Sequence, residues 1–179
     1  MRDVIETDRL ILRPPRLDDL DRWAEMMSDE EAARYIGGVQ GKSMVWRSIM
    51  VIAGSWALTG VAMFSVVEKT SGRWVGRVGP WQPPGWPGTE VGWALHRDAW
   101  GRGYALEAAT AAMDYAFDTI GWTDVVHCIS EGNMRSVRLA ERLGSTARGT
   151  ATLPPPHHQE PVTLWGQTRE EWRSRARPA

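Results

Sequence analysis

Leu10 and Leu12 alternate with their neighbours through residues 9–13, the two-residue period of a half-buried strand, and Pro14-Pro15 ends it. Beyond the prolines the period becomes helical, with Leu17, Leu20, Trp23 and Met27 on one side of residues 17–27. A glycine break at Gly37, Gly38 and Gly41 follows. A second helix is then predicted over residues 42–56, with Val45, Ile49, Ile52 and Trp56 on one face. Residues 61–68 and 73–81 are β-rich and joined by Lys69-Thr70-Ser71-Gly72, the spacing of a hairpin.

A Pro/Gly/Trp segment, residues 82–88, leads into a third β run over 90–96, where Val91, Trp93 and Leu95 alternate with Glu90, Gly92 and Ala94. Residues 105–117 carry helical spacing at Leu106, Ala109, Met113 and Phe117. A buried strand over 124–130, a helix over 133–143 and a last strand over 162–167 complete the order. Strands interleaved with helices in the order β-α-α-β-β-β-α-β-α-β predict the α/β or α+β class, with a mixed sheet. Residues 153–161, with the run Pro154-Pro155-Pro156 and then His157-His158, read as a surface loop.

Neither a repeat nor a composition break divides the chain, so its 179 residues are read as one domain spanning 1–179. A domain of that size buries roughly two thirds of its unfolded surface, so no covalent staple is needed. The lone Cys128 lies in an apolar run and reads as a small buried hydrophobe in a reducing compartment. A net charge of −1 provides no field for nonspecific binding to nucleic acid or an anionic membrane. The charged start Met-Arg-Asp-Val-Ile-Glu-Thr-Asp is unlike a secretory leader, and the longest apolar stretch, 49–58, is about half a membrane span. A cytoplasmic protein is expected. Neither a Cys/His cluster with metal-ligand spacing nor a Gly-x-Ser-x-Gly turn occurs, so no metal is predicted.

Chemistry concentrates between the third strand and the helix after it, in Trp100-Gly101-Arg102-Gly103-Tyr104-Ala105. A strand-to-helix turn with glycines exposes consecutive backbone N–H groups at a positive helix end, which suits a phosphate or pyrophosphate. Gly101 and Gly103 permit close approach and Arg102 offers a cation; a plain helix start is the alternative reading. A dinucleotide-binding oxidoreductase competes poorly. Leu106 stands where the third glycine belongs, a hairpin precedes the strand, and no acidic residue closes the strand over 124–130.

The run Glu90-Val91-Gly92-Trp93-Ala94-Leu95, followed by Trp100-Gly101-Arg102-Gly103-Tyr104-Ala105-Leu106-Glu107-Ala108, resembles the cofactor motif of the GNAT superfamily of N-acetyltransferases. The segment Asn133-Met134-Arg135-Ser136-Val137-Arg138-Leu139-Ala140-Glu141-Arg142-Leu143-Gly144 resembles the next motif of that family. With the opening Thr7-Asp8-Arg9-Leu10-Ile11-Leu12-Arg13, the set is similar to the branch that includes the ribosomal-protein serine and alanine N-terminal acetyltransferases. The resemblance implies a mostly antiparallel sheet with helices on both faces, splayed between the strands at 90–96 and 124–130 to admit acetyl-CoA. It implies acetyl transfer to a primary amine, either a protein N-terminus or a small amine. A homodimer is compatible with it, although no sequence feature marks an interface.

Carried over residue by residue, the resemblance gives pantetheine to the backbone of Trp93, Ala94 and Leu95. It gives pyrophosphate to Gly101, Arg102, Gly103, Tyr104 and Ala105, and places Asn133 on the cofactor's far side. Trp100 stands where many members have Gln or Arg. Glu90 is the candidate to take the amine's proton, with an ordinary strand-end carboxylate as the alternative. The tyrosine that many relatives use to protonate the thiolate is replaced by Ala140, so Ser136 is the proposed substitute, and Asn133 also fits a helix N-cap. The missing tyrosine motivates a rival reading, a noncatalytic acyl-CoA-binding or sensing module. His127 reads as a core residue, His157 and His158 as loop residues, and Trp81 and Trp86 as walls of an acceptor pocket.

Overall fold

The computed structural model describes residues 4–157 and 161–175. Eight strands form one sheet: β1 (Ile5–Glu6), β2 (Leu10–Arg13), β3 (Phe64–Glu68), β4 (Trp74–Trp81), β5 (Glu90–Leu95), β6 (Asp124–Ser130), β7 (Thr146–Thr152) and β8 (Pro161–Thr168). Their spatial order is β1-β2-β3-β4-β5-β6-β8-β7, antiparallel at every junction except β5 to β6. That mixed, mostly antiparallel α/β arrangement is the expected class.

Helices cover both faces. On one face α1 (Leu20–Ser28), α2 (Glu30–Ala33) and α3 (Lys42–Thr59) bury Trp23, Met26, Met27, Ala33, Val45, Ile49 and Ile52 against Met63, Trp74 and Ala94. On the other, α4 (Tyr104–Asp114) sets the small residues Ala108, Ala109 and Ala112 against Leu10, Leu12, Val91 and Leu95. Its alanines let the helix lie close to the sheet, which keeps its first turn beside β5. A π-helical turn, Tyr115–Ile120, prolongs α4, while α5 (Met134–Arg142) packs Leu139 into the same core and α6 (Arg169–Ser174) adds Trp172.

Three departures from the sequence pattern have local causes. Leu17 is 60% exposed, because residues 17–19 form a 3-10 turn before α1 and fall out of its helical register. Strand β7 lies at the sheet edge with six of seven residues exposed and a register shift between Ala147 and Gly149, so no apolar alternation marks it. Helix α6 has one buried residue but a complete capping box between Thr168 and Glu171, a Thr-x-x-Glu signal present in the sequence.

Polar side chains in β2 and in the turn just before it tie this edge of the sheet to both helical layers. Arg13 grips buried Asp19 through two hydrogen bonds of 2.9 and 2.6 Å, at the entrance to α1. Burial alone would raise the Asp19 carboxyl, but the bonds from Arg13, the Arg16 amide and Ser65 hold it below the usual carboxylate range. On the other face Thr7 Oγ1, the Arg9 amide and Arg9 Nε donate to Glu107 in the first turn of α4, at 2.6, 2.8 and 2.6 Å.

Candidate active site

Strands β5 and β6 share one register pair, Glu90 opposite Val126, sealed by the Val126 amide donating to Thr89 O at 2.9 Å. Beyond it they part, whereas β6 stays paired with β8 along its full length. Parting parallel strands leaves backbone groups without ladder partners, and side chains take them up. The Cys128 amide donates to Glu90 Oε1 at 3.1 Å, and His127 Nδ1 meets Val91 O at 2.6 Å.

Backbone groups alternate in direction along a strand. Since Thr89 O and Val91 O face β6, Trp93 and Leu95 face the parted edge, and Ala94 turns its main chain to β4, where it pairs with Arg77. Trp100 Nε1 donates to Leu95 O at 2.9 Å. Trp93 is therefore the residue with main-chain groups directed into the opening.

The opening divides into two spaces. A groove of about 780 Å³ is lined by Trp93, Ala94 and Leu95, by Trp100, Gly101, Gly103, Tyr104 and Ala105 of the following loop, and by Asn133 and Ser136. A cavity of about 440 Å³ on the other side is lined by Glu90, Arg77, Trp81, Trp86, Cys128 and His157 among others. Tyr35, Ile36, Trp93, Asn133 and Ser136 border both, so the spaces meet at these five residues.

At the groove's far end Gly101 and Gly103 adopt positive φ of 72° and 79°, a region that side chains with Cβ rarely enter. Gly103 is the N-cap of α4 and has no side chain to offer, and the first helical bond runs from the Glu107 amide to Gly103 O at 3.2 Å. The amides of Tyr104, Ala105 and Leu106 precede that bond and have no carbonyl within the helix to meet. From behind, Arg9 Nη1 donates to Arg102 O at 2.9 Å. The Arg102 side chain does not line the groove; it turns to Glu68, whose carboxyl is lowered to about 2 by bonds from Ser71, Tyr104 and Arg102. The cation expected there comes instead from α5, where Arg135, Arg138 and Arg142 line the groove. Arg135 lies 4.2 Å over the Trp100 ring, so Trp100 braces an arginine. The spacing of these three arginines was visible in the sequence, but only the fold turns them toward the loop.

Glu90 is 7% exposed and accepts hydrogen bonds from Trp86 Nε1 and from the amide and thiol of Cys128. Burial raises its pKa, partly offset by those donors and by Arg77. Cys128 is only half-buried and lines the cavity, which corrects the expectation of a buried hydrophobe. Burial and the neighbouring Glu90 push its thiol up, away from thiolate. Asn133 Oδ1 caps α5 by accepting from the Ser136 amide at 3.2 Å, and Ser136 Oγ accepts from Trp93 Nε1 at 3.1 Å, leaving its O–H to donate. Ala140 is fully buried.

His127 is a satisfied core residue: Nε2 meets Ser145 Oγ at 3.0 Å, and burial lowers its pKa to about 4. His157 stands edge-on to Trp86 at the cavity, and His158 lies outside the described residues. Sequence reasoning missed Arg77, which reaches the site from a strand read only for its packing, and Tyr35, which reaches it from the turn after α2, where no element was predicted.

The family model for the acetyltransferase (GNAT) domain matches residues 9–146. An uncharacterized N-acetyltransferase, p20 of Bacillus licheniformis, is 27% identical over 150 residues, which is 82% of this chain and 84% of that protein. The crystal structure of an acetyltransferase from Agrobacterium tumefaciens superposes with a TM-score of 0.83 at 27% identity, covering 94% of this chain and 96% of that one. A ribosomal-protein-S5-alanine acetyltransferase from Vibrio fischeri shares the fold at a TM-score of 0.75 and 18% identity, covering 95% of this chain and 98% of that one. With a match over most of its length, and with the parted strands and open helix end that the motifs implied, the chain belongs to the GNAT acetyltransferase family.

Proposed function

We propose that the protein moves an acetyl group from acetyl-CoA to a primary amine. The observation that carries this reading is the meeting of a groove and a cavity at the parted strands, with Glu90 on the cavity side and Ser136 and Tyr35 where the two join. The groove fits a CoA thioester. It offers a strand edge at Trp93 for an amide-bearing arm, uncapped amides from Gly103 to Leu106 for a pyrophosphate, and three arginines for further phosphate charge. When bound, acetyl-CoA supplies an acetyl carbon already activated as a thioester.

The chain then has three tasks. Trp81 and Trp86 wall the cavity and exclude water from the reacting amine. Glu90 takes the proton released as the amine nitrogen bonds to the acetyl carbon, and its raised pKa makes it a stronger base than an exposed carboxylate. One of the two hydroxyls at the junction, that of Ser136 or that of Tyr35, donates the single proton needed by the departing sulfur. Buried Ala140 removes the usual donor, so these two hydroxyls are what separate an enzyme from a noncatalytic acyl-CoA-binding module.

Titration calorimetry with acetyl-CoA, CoA and NAD tests the groove, and thiol release in the presence of primary amines tests the chemistry. Micromolar CoA binding, no NAD binding and amine-dependent thiol release are expected. CoA binding without release by any amine would favour the noncatalytic module; binding of NAD alone would end the family's activity as an explanation for this chain.

A further inference from the structure

The cavity contains an arginine that forms no ion pair with a carboxylate among the described residues. Arg77 projects from the middle of β4, its Nε is buried without a hydrogen-bond partner among the described residues, and its Nη1 donates to the thioether of Met63 at 2.8 Å. A thioether is a weak acceptor, and the Trp23 ring, 5.7 Å from the guanidinium carbon, is a weak substitute for an anion. Burial lowers the guanidinium to about 10, with Glu90 acting the other way, so it keeps its charge at neutral pH.

Elsewhere this chain gives an enclosed arginine a carboxylate: Arg13 has Asp19. Removing a guanidinium from water costs several kcal/mol unless an anion meets it. An arginine left in that state beside a cavity implies an anion that arrives with the ligand. Of the other charged or titratable groups lining the cavity, Arg47 adds to the positive side, His157 is pushed toward neutrality by burial and by Arg77, His127 and the Cys128 thiol are held neutral by burial, Tyr35 brings a phenol, and Glu90 is the carboxylate.

Position defines the ligand further. Arg77 pairs with Ala94 and Trp81 with Glu90, so Arg77 and Glu90 stand on one face of the sheet four residues apart along the ladder. At roughly 3.3 Å per residue their Cα atoms are about 13 Å apart, and both side chains reach into the space between. A compact molecule is what fits between the two ends.

We infer that Arg77 is the anion-recognition residue of the acceptor site, and that the acceptor is a small amine carrying a carboxylate, with its nitrogen toward Glu90. This rests on the cavity being the acceptor site of the proposed acetyl transfer. A protein N-terminus would fill the same space without an anion placed to meet Arg77.

The test compares amino acids with their decarboxylated amines and carboxamides, measured by thiol release with the wild-type protein, Arg77→Met and Arg77→Lys. The wild type should favour the carboxylate by about tenfold or more in kcat/KM. Arg77→Met should reduce that preference to about twofold or less, chiefly through KM, and Arg77→Lys should recover part of it. Because no protein ion pair is broken, Arg77→Met should melt at or above the wild-type temperature, whereas a structural arginine would lower it.

Equal rates for amines with and without the carboxylate, or an unchanged preference in Arg77→Met, would overturn the inference. A second readout needs no turnover: amino acids, but not their decarboxylated amines, should raise the melting temperature of the wild type and not of Arg77→Met. If that shift appears while no amine releases thiol, acetyl transfer fails and the anion site stands. If the shift is absent, the anion site fails.

Discussion

Glu90 carries two duties on one carboxylate. It receives the Cys128 amide at the point where β5 and β6 part, and it faces the cavity with its pKa raised by burial. Glutamine keeps an acceptor oxygen for that amide and cannot accept a proton, so Glu90→Gln separates the duties. The variant should bind CoA within about twofold of wild type and lose about 10²- to 10⁴-fold in thiol release. In the wild type the acid limb of kcat/KM should lie above the ordinary carboxylate range and vanish in Glu90→Gln; retention of both rate and limb would return Glu90 to a purely structural part. For the leaving group, Ser136→Ala and Tyr35→Phe each remove one hydroxyl at the junction. The one that supplies the proton should lower kcat while leaving CoA affinity intact, and Ser136→Ala should also cost about 1 kcal/mol of stability, because Trp93 Nε1 loses its acceptor. Glu90, Asn133 and Ser136 were legible because they lie inside motifs whose spacing carries meaning. Arg77 and Tyr35 were not, since a single Arg in a hairpin strand and a Tyr beside a glycine break have no local pattern, and only packing reveals which way each faces.

The loop between β5 and α4 works as a unit whose shape is imposed from two sides. Positive φ at Gly101 and Gly103 turns the chain, while Thr7 and Arg9 of the first strand region fasten Glu107 and the Arg102 carbonyl from behind. A β-branched residue at φ 79° is strained by about 1–3 kcal/mol, so Gly103→Val should either distort the loop or destabilise the fold. CoA affinity, read by calorimetry, should fall at least about tenfold while the far-UV circular dichroism is preserved; unchanged affinity would remove the loop amides from the phosphate site. Arg9→Ala leaves φ alone and withdraws only the brace, so it should weaken CoA binding less than Gly103→Val. The elements themselves were readable where burial left a pattern of apolar residues, on one face in β2 and α4 and on both in β4 and β5. Edge strand β7 escaped because its residues are almost all exposed, and α6 because six residues hold too few turns for a period. The role of the opening Thr-x-Arg pair escaped for another reason. Its partner Glu107 lies 100 residues from Thr7, and no local rule connects them.

Across the whole molecule, the splay that makes the site also makes the fold sensitive to acid. His127 bridges the parted halves of the sheet, meeting Val91 O on β5 with one ring nitrogen and Ser145 with the other, and burial lowers its pKa from 6.5 to about 4. Between those values the unfolded chain binds a proton that the folded chain refuses, so stability is present above pH 6.5 and drains as pH falls toward 4. At 1.36 kcal/mol per unit the loss reaches roughly 3 kcal/mol, a large share of a typical domain's stability. The low carboxyls of Asp19, Glu68 and Glu107 act in the same direction but only below their unfolded values. Glu90, raised by burial, opposes them, because its folded form holds a proton that its unfolded form has released. Denaturant unfolding of the wild type and His127→Gln between pH 7.5 and 5, an interval of about 2.5 units spanning the unfolded histidine's titration, isolates the histidine. At pH values about one unit above the carboxylate range the carboxyls are silent apart from Glu90, and Glu90 and the lowered His157 are shared by both proteins and cancel in the comparison. The variant should be less stable near neutrality, having lost a fitted ring, yet its stability should fall less steeply with acid than that of the wild type. Parallel slopes would mean that His127 is not held neutral, and that the bridge across the splay does not depend on protonation.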